Sequence, residues 1–379
     1  MGPVNVTQIV VLEALLVGLM LLVRHNLVLL ALGLVLAVLV LLFMFARTRG
    51  RWWLEHLQLR RSYQRRHKTG VVAVQDRRLT ALHSLVPDLA AQTVESSGAD
   101  VGVGHDDAGW FAAVAVVPPD GMDGAALGDV PLGALARVCL ECEQPGAIFQ
   151  VVLHTLPAPT TAIMDDQPVS RSYEQVSHAA HGTVPVDQAW WVTVRLDSRG
   201  VAEAAIGGAD ESENAPAVVA TLVRRVAKSL RRNGLPCRVL NRDALLDALA
   251  RSCDLEQSQH NTELPVARES WRNWTSAQLR HATFWVKSWP RGIAGGELIT
   301  RLTLARAALT SVAITMEPCG SDVEFRCLIR VAATEDAALA HACADVAHRA
   351  GAAGAAVHRL DGEQALGVYA TMPSGGGAQ

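Results

Sequence analysis

Leu27 to Phe45 is an unbroken run of nineteen residues without a charged or strongly polar side chain. As a helix rising 1.5 Å per residue it would reach about 28 Å, close to the thickness of a bilayer's hydrocarbon core. A second run, Val6 to Val23, precedes it, interrupted only by Gln8 and Glu13 among strongly polar side chains, and Arg24-His25-Asn26 separates the two. The pattern predicts an N-terminal transmembrane helical hairpin over residues 1–46. A cleaved signal peptide would need a charged n-region and a small-residue cleavage site, and neither precedes Arg24.

The flanking charge predicts the orientation. The first seventy residues hold nine Lys/Arg against two acids, and the remainder 25 against 35. Arg47, Arg49, Arg51, Arg60, Arg61, Arg65, Arg66 and Lys68 crowd the stretch after Phe45, whereas the turn between the runs offers only Arg24. The positive-inside rule then places both termini in the cytoplasm, in a multi-pass protein of the inner (cytoplasmic) membrane. Trp52 and Trp53 within a basic juxtamembrane segment, residues 47–70, read as an aromatic anchor beside anionic headgroups. The candidate membrane- or partner-contacting residues are Glu13, Arg47, Arg49, Arg51, Trp52, Trp53, Arg60, Arg61, Arg65 and Arg66. Nucleic acid is excluded as a partner because the rest of the chain is acidic.

Past residue 70 the periodicity predicts a cytosolic α+β region. A β-hairpin is expected from Val71-Val72-Ala73-Val74, a turn at Asp76-Arg77-Arg78 and a strand Leu79 to Val86. A β-α-β-β-α-β order then occurs twice. The first series runs from strand Trp110–Val117 to strand Cys237–Leu240, the second from strand Ala282–Ser288 to strand Ala355–Leu360. The order is that of ferredoxin-like split βαβ units and predicts two of them in tandem. The expected division is a first unit, with its N-terminal hairpin, over residues 71–253 and a second over 254–379.

Motifs that would carry chemistry are sparse. No Gly-Lys pair occurs, so there is no GxxxxGK[ST] phosphate loop, and GxSxG, HExxH and the kinase signatures are missing too. Cys139-x-x-Cys142 stands without a second pair, which leaves packing as its role. His105-Asp106-Asp107, and Asp165-Asp166 with His178-x-x-His181 in the stretch 157–187, are the positions where carboxylates could hold a metal. Gly102-x-Gly104 precedes a strand rather than a helix, so it cannot seat a pyrophosphate on a helix N-terminus. The residues therefore predict a non-enzymatic subunit without catalytic, metal or cofactor residues. The alternatives are a membrane-anchored transferase, dependent on a metal or a sugar nucleotide and using Asp106-Asp107 or Asp165-Asp166, and a ligand-sensing adaptor with an apolar cavity between the repeated units.

In order, the two apolar runs, the basic Trp-bearing stretch, Gly70-Val71-Val72, Val130-Pro131-Leu132, Val151-Val152-Leu153-His154-Thr155, the strand Trp190 to Asp197 and Leu230 to Gly234 resemble the EccE family, a membrane component of actinobacterial type VII (ESX) secretion systems. That resemblance implies a structural subunit of a protein-transport complex with EccB-, EccC- and EccD-like partners and membrane lipid, the ATPase being the EccC-like subunit. It carries over no catalytic residue.

Overall fold

In a computed structural model, residues 76–117, 132–140, 144, 146–156, 188–198, 211–255, 267–291, 295–320 and 322–376 are described, with 13–18, 20–21, 31, 33–40, 47–48, 51–52 and 59–64 nearer the N-terminus. The chain divides into two compact units, Met1–Thr69 and Gly70–Gln379.

In the N-terminal unit, β1 (Arg47–Thr48) pairs antiparallel with β2 (Arg51–Trp52), Arg47 opposite Trp52. Residues 13–18, 33–40 and 59–64 are helical. The expected transmembrane hairpin is corrected here: among the described residues no helix is long and apolar enough to cross a membrane. Apolar composition over nineteen residues is a necessary condition for a span, but a span also needs one continuous helix of about 20 residues. The rest of residues 1–46 lies outside the described residues.

The larger unit is built on one twelve-stranded sheet. Its strands are β3 (Ala90–Ser96), β4 (Ala99–Asp106), β5 (Gly109–Val116), β6 (Ala147–Thr155), β7 (Gln188–Asp197), β8 (Cys237–Val239), β9 (Arg268–Glu269), β10 (Trp274–Thr275), β11 (Arg280–Ser288), β12 (Leu309–Cys319), β13 (Asp322–Ala333) and β14 (Ala356–Arg359). The order is β3-β4-β5-β7-β6-β12-β13-β11-β10-β9, with β8 joined to β5 and β14 to β11. Every pairing is antiparallel.

The two expected units do not form separate sheets, although each series keeps the antiparallel order fourth-first-third-second, β8-β5-β7-β6 and β14-β11-β13-β12, of a split βαβ unit. The strands of both expected series share a single sheet, closed between them by β6 and β12 in register from Thr310 opposite Thr155 to Met316 opposite Phe149. The physical reason lies in those two strands. Each would otherwise expose a long row of unpaired backbone groups between apolar side chains, the most aggregation-prone kind of edge. Pairing them satisfies both backbones and continues the core.

Alternation along the central strands sorts side chains to two faces. Phe149, Val151 and Leu153 of β6, Val192, Val194 and Leu196 of β7, Val312, Ile314 and Met316 of β12 and Ile329 and Val331 of β13 enter one core. It is covered by α2 (Leu132–Leu140), α3 (Glu211–Arg232), α5 (Gly295–Thr303) and α6 (Asp336–Ala352). The helix α3 contributes Val219, Val223, Val226 and Leu230, spaced i, i+4, i+7, i+11, and each such burial stabilises by about 1.5–3 kcal/mol. It stops at Gly234, φ +78°, where Leu235 N–H reaches back to Leu230 O (3.0 Å) in a Schellman closure.

The opposite face is covered by α1 (Arg77–Leu82), α4 (Arg242–Ser252) and α7 (Gln364–Ala370). Its flanks are apolar, through Leu82, Phe111, Leu245, Leu249, Val368 and Met372. Its centre is polar and yet buried, since Gln150, His154, Thr193, Arg195, Thr283, Ser311 and Arg330 are all at most 1% exposed.

One local expectation changes as well. The strand expected over Leu79–Val86 is the helix α1, because Asp76 is an N-cap: its Oδ1 accepts Arg78 N–H at 3.0 Å. The stretch Glu95 to Asp107 holds most of the hairpin β3–β4. Its glycines are spatial requirements. A Cβ on Gly102 would stand 2.5 Å from Asn241 backbone, and one on Gly104 would stand 2.3 Å from the Phe111 ring.

Candidate functional site

The polar stripe under α7 falls into two clusters. In the first, Arg195 on β7 pairs with Asp106 at the end of β4. Asp106 also accepts Tyr369 O–H from α7 and the N–H groups of Ala108 (2.9 Å) and Gly109 (3.1 Å). Arg195 donates further to Ser374 O (2.8 Å), and its guanidinium carbon lies 5.7 Å from the centre of the Phe111 ring. Beside it, the Gln150 side chain reads backbone on both sides, donating to Ala370 O (2.7 Å) and accepting from Gly375 N–H (2.9 Å). The Asp106 carboxylate is thus engaged at both oxygens by four donors, three on Oδ1 and one on Oδ2, as in a structural ion pair.

The second cluster centres on Arg330. Register places His154, Ser311, Arg330 and Thr283 in one transverse row across β6, β12, β13 and β11. Arg330 Nη2 donates to Ser252 O and to Ser311 Oγ (3.1 Å), and Ser311 Oγ lies 3.0 Å from His154 Nδ1. Arg330 Nε and Nη1 find no hydrogen-bond acceptor among the described residues. Burial lowers the Arg330 pKa and depresses both nearby histidines, with the Arg330 charge adding to the effect on each. His154 falls to about 3 and is neutral at physiological pH, as is His281. The Asp254 carboxyl, which interacts with the Arg330 charge, has its pKa raised by burial and accepts the Ser276 hydroxyl at 2.7 Å.

A concave site of about 380 Å³ opens beside α4, at the end of the sheet formed by β5, β7 and β8. Trp190 and Trp191 of β7, Ala244 and Ala248 of α4, and Arg238 and Arg251 stand among its lining. The cavity expected between the repeated series is not where this one lies, because its lining comes wholly from elements before residue 252.

Of the candidates read from sequence, Glu13 is an exposed helical residue, and Arg60 and Arg61 are exposed in the helical stretch 59–64. Arg47, Arg51 and Trp52 sit on the β1–β2 pair, which brings Arg47 and Trp52 into register. Arg49, Trp53, Arg65 and Arg66 lie outside the described residues, as do Asp165, Asp166, His178, His181 and Cys142. His105 packs on Trp110 at 4.1 Å between ring centres, and Asp107 has its pKa raised chiefly by the neighbouring Asp88 carboxylate. Among the described residues no group of three His, Cys, Asp or Glu side chains could hold a metal ion. Sequence reasoning missed Arg195 and Arg330. Their signal was an arginine inside an otherwise apolar strand, a position arginine occupies only when its charge is compensated or used.

Buried ion pairing on a large antiparallel sheet defines an α+β protein whose conspicuous polar groups are tied into its own architecture. Residues 184–286, from β7 through β11, match the family model described as "Putative type VII ESX secretion system translocon, EccE". The resemblance read from the sequence is supported over that segment, which contains Arg195 and most of the α4 pocket lining. No curated protein matches the chain. Two solved structures of alkyldihydroxyacetonephosphate synthase are similar at 11% and 10% identity, with TM-scores of 0.28 and 0.25, over 68% of this chain and 42% of theirs. The chain thus spans less than half the length of those structures, and an overlap at such scores does not define a shared fold.

Proposed function

We propose that the chain is a non-enzymatic component of a type VII secretion complex, held at the cytoplasmic face of the inner membrane and docked on EccB-, EccC- and EccD-like subunits. The observation that carries this reading is the EccE family match over residues 184–286. The Asp106 carboxylate, the first candidate for metal-dependent chemistry, is consumed by Arg195, Tyr369 and two backbone amides, which favours a scaffold over a transferase. The basic stretch from Arg47 to Lys68, with Trp52 and Trp53, supplies the contact to anionic lipid and to partner subunits.

The test is co-purification. Exchanging Arg60, Arg61, Arg65 and Arg66 together for glutamate moves the local charge by eight units. The expected outcome is loss of the other secretion subunits from the purified complex and loss of export, with the circular dichroism of the variant unchanged. Full recovery of those subunits would overturn the assignment of this stretch. Failure of the wild-type chain to co-purify with any of them would overturn the secretion reading itself.

A further inference from the structure

We propose that the buried guanidinium of Arg330 organises an internal site for a small monovalent anion of halide size. This goes beyond the secretion reading and does not depend on it. Arg330 lies within β13 at 0% exposure, in the transverse row with Thr283, Ser311 and His154. The other fully buried arginine, Arg195, meets the Asp106 carboxylate. Arg330 meets no carboxylate among the described residues. Its Nη2 donates to two neutral acceptors, Ser252 O and Ser311 Oγ, and its Nε and Nη1 donate to nothing. A guanidinium does not shed its proton in a protein, so the charge persists and must be balanced from outside the side chain. An uncompensated charge is among the costliest things a fold can bury.

The surroundings do not balance it. His154 and His281 are neutral, and the Cys253 thiol beside Arg330 is kept protonated by burial. Asp254 accepts from the Ser276 hydroxyl (2.7 Å) and from Gln278 N–H (3.4 Å), not from Arg330. Unpartnered buried atoms gather at the same place. Thr283, directly opposite Arg330 on β11, leaves its Oγ1 unpaired, and His281, two residues along on the same face, leaves its Nδ1 unpaired. Four of the five such side-chain atoms among the described residues thus belong to these three neighbours, and only Thr193 Oγ1 lies elsewhere. Water could complete the hydrogen bonds but would leave the charge. An anion accepts from Nε–H, Nη1–H and the Thr283 hydroxyl and cancels it. The cover sets the size. At Gly367 of α7 a Cβ would stand 2.7 Å from Thr283 Cβ, and Gln364 of the same helix accepts Thr283 N–H at 2.9 Å. The last turn of α4 closes on Arg330 through Ser252 O. Packing this close selects a monatomic anion over an organic acid.

An ion so enclosed is read through stability, because only the folded chain binds it. The purified full-length chain is unfolded with urea in chloride and in gluconate, which is too large for the site, at constant ionic strength. Raising chloride from about 1 to about 100 mM in place of gluconate should raise the midpoint by about 1 M urea for a site that binds near 1 mM. Bromide should act alike, and crystals grown in bromide should show an anomalous-scattering peak beside Arg330. Arg330→Met, which keeps the length and removes the charge, should abolish the chloride dependence and be at least as stable as wild type in gluconate. Thr283→Val should cut the chloride effect at least threefold. Equal midpoints in chloride and gluconate, an unchanged chloride dependence in a folded Arg330→Met variant, or ordered water alone beside Arg330 in bromide crystals would each overturn the proposal. The comparison of the two salts uses the wild-type chain alone, so it holds even where a variant fails to fold.

Discussion

Arg195 and Asp106, 89 residues apart in sequence, form an ion pair in which both side chains are at most 4% exposed. The pair fastens the β4–β5 corner to β7, and Tyr369 and Ser374 attach the C-terminal segment to the same two residues. Breaking a buried pair from one side leaves an uncompensated charge, which costs about 3–5 kcal/mol. Arg195→Ala is therefore expected to lose about that much in urea denaturation. Tyr369→Phe, which removes one hydrogen bond to a charged acceptor, should lose about 1.5–3 kcal/mol. A double-mutant cycle between positions 195 and 106 should show strong coupling, and additivity would refute the pairing.

Gly109 and Gly98 both have positive φ, at +140° and +73°, but their surroundings differ. A Cβ on Gly109 would lie 2.0 Å from Leu196 O, a backbone atom fixed in the β5–β7 ladder, whereas nothing lies within 4 Å of one on Gly98. Gly98→Ala should cost only the backbone penalty of a left-handed residue, about 1–2 kcal/mol. Gly109→Ala must in addition displace β7 and should be the far more damaging of the two, read as a drop in melting temperature or as loss of soluble protein.

Much of the secondary structure was legible, and the reasons are specific. The strands β6, Ala147–Thr155, and β7, Gln188–Asp197, contain the segments Val151 to Thr155 and Trp190 to Asp197 that stand out in the sequence. Both are long apolar runs that no other element type would bury. The helix α3 announced itself through the 3.6-residue spacing from Val219 to Leu230 and the glycine stop at Gly234. By contrast, β4 was hidden by Gly102 and Gly104, which weaken a strand signal yet are demanded by the close approach of Asn241 and Phe111. The union of the two strand series through β6 and β12 could not be read, because pairing between distant edges depends on which edges are left open after each series folds. The polar residues Gln150, His154, Ser311 and Thr315, alternating with the apolar ones on those strands, were the available hint of a second covered face. The ion pair was half visible: Asp106 drew attention as an acid, but its partner lay concealed in an apolar strand.

His154 supplies a pH dependence. Burial holds its folded pKa at about 3, against an ordinary value of 6.5. Above pH 6.5 the imidazole is neutral in both folded and unfolded chains, and it contributes no slope. Between 6.5 and 3 the unfolded chain takes up a proton that the folded chain refuses, so stability falls as pH falls, by up to about 1.4 kcal/mol per pH unit. His281 is depressed in the same direction. Asp254, raised by burial, acts in the opposite sense, since the folded chain keeps its proton where the unfolded chain has lost it. Denaturation midpoints measured from pH 7.5 down to 4.5 should decline, and His154→Gln should flatten the decline by about one proton's worth of slope. An unchanged slope in that variant would show that the imidazole titrates normally in the folded chain.

The C-terminal segment covers the polar stripe. Gln364 Oε1 accepts Thr283 N–H at 2.9 Å, and Ala370, Ser374 and Gly375 present backbone groups to Gln150 and Arg195. Val368, Tyr369 and Met372 enter the core on that face. At Gly375, φ +84°, a Cβ would fall 2.5 Å from Arg195 Cβ, so only glycine lets the chain lie this close to the sheet. Ending the chain at Glu363 would remove the buried side chains of Val368, Tyr369 and Met372, each worth about 1.5–3 kcal/mol, strand Gln150 without its two backbone partners, and take Tyr369 from Asp106 and Ser374 from Arg195. The combined loss is comparable to the whole stability of a typical domain, about 5–15 kcal/mol. The truncated chain should therefore be recovered unfolded or aggregated, while Gly375→Ala in the full-length chain should fold with a clearly lowered melting temperature. A soluble truncated protein with native circular dichroism and a wild-type melting temperature would mean that the sheet holds its polar face without this cover.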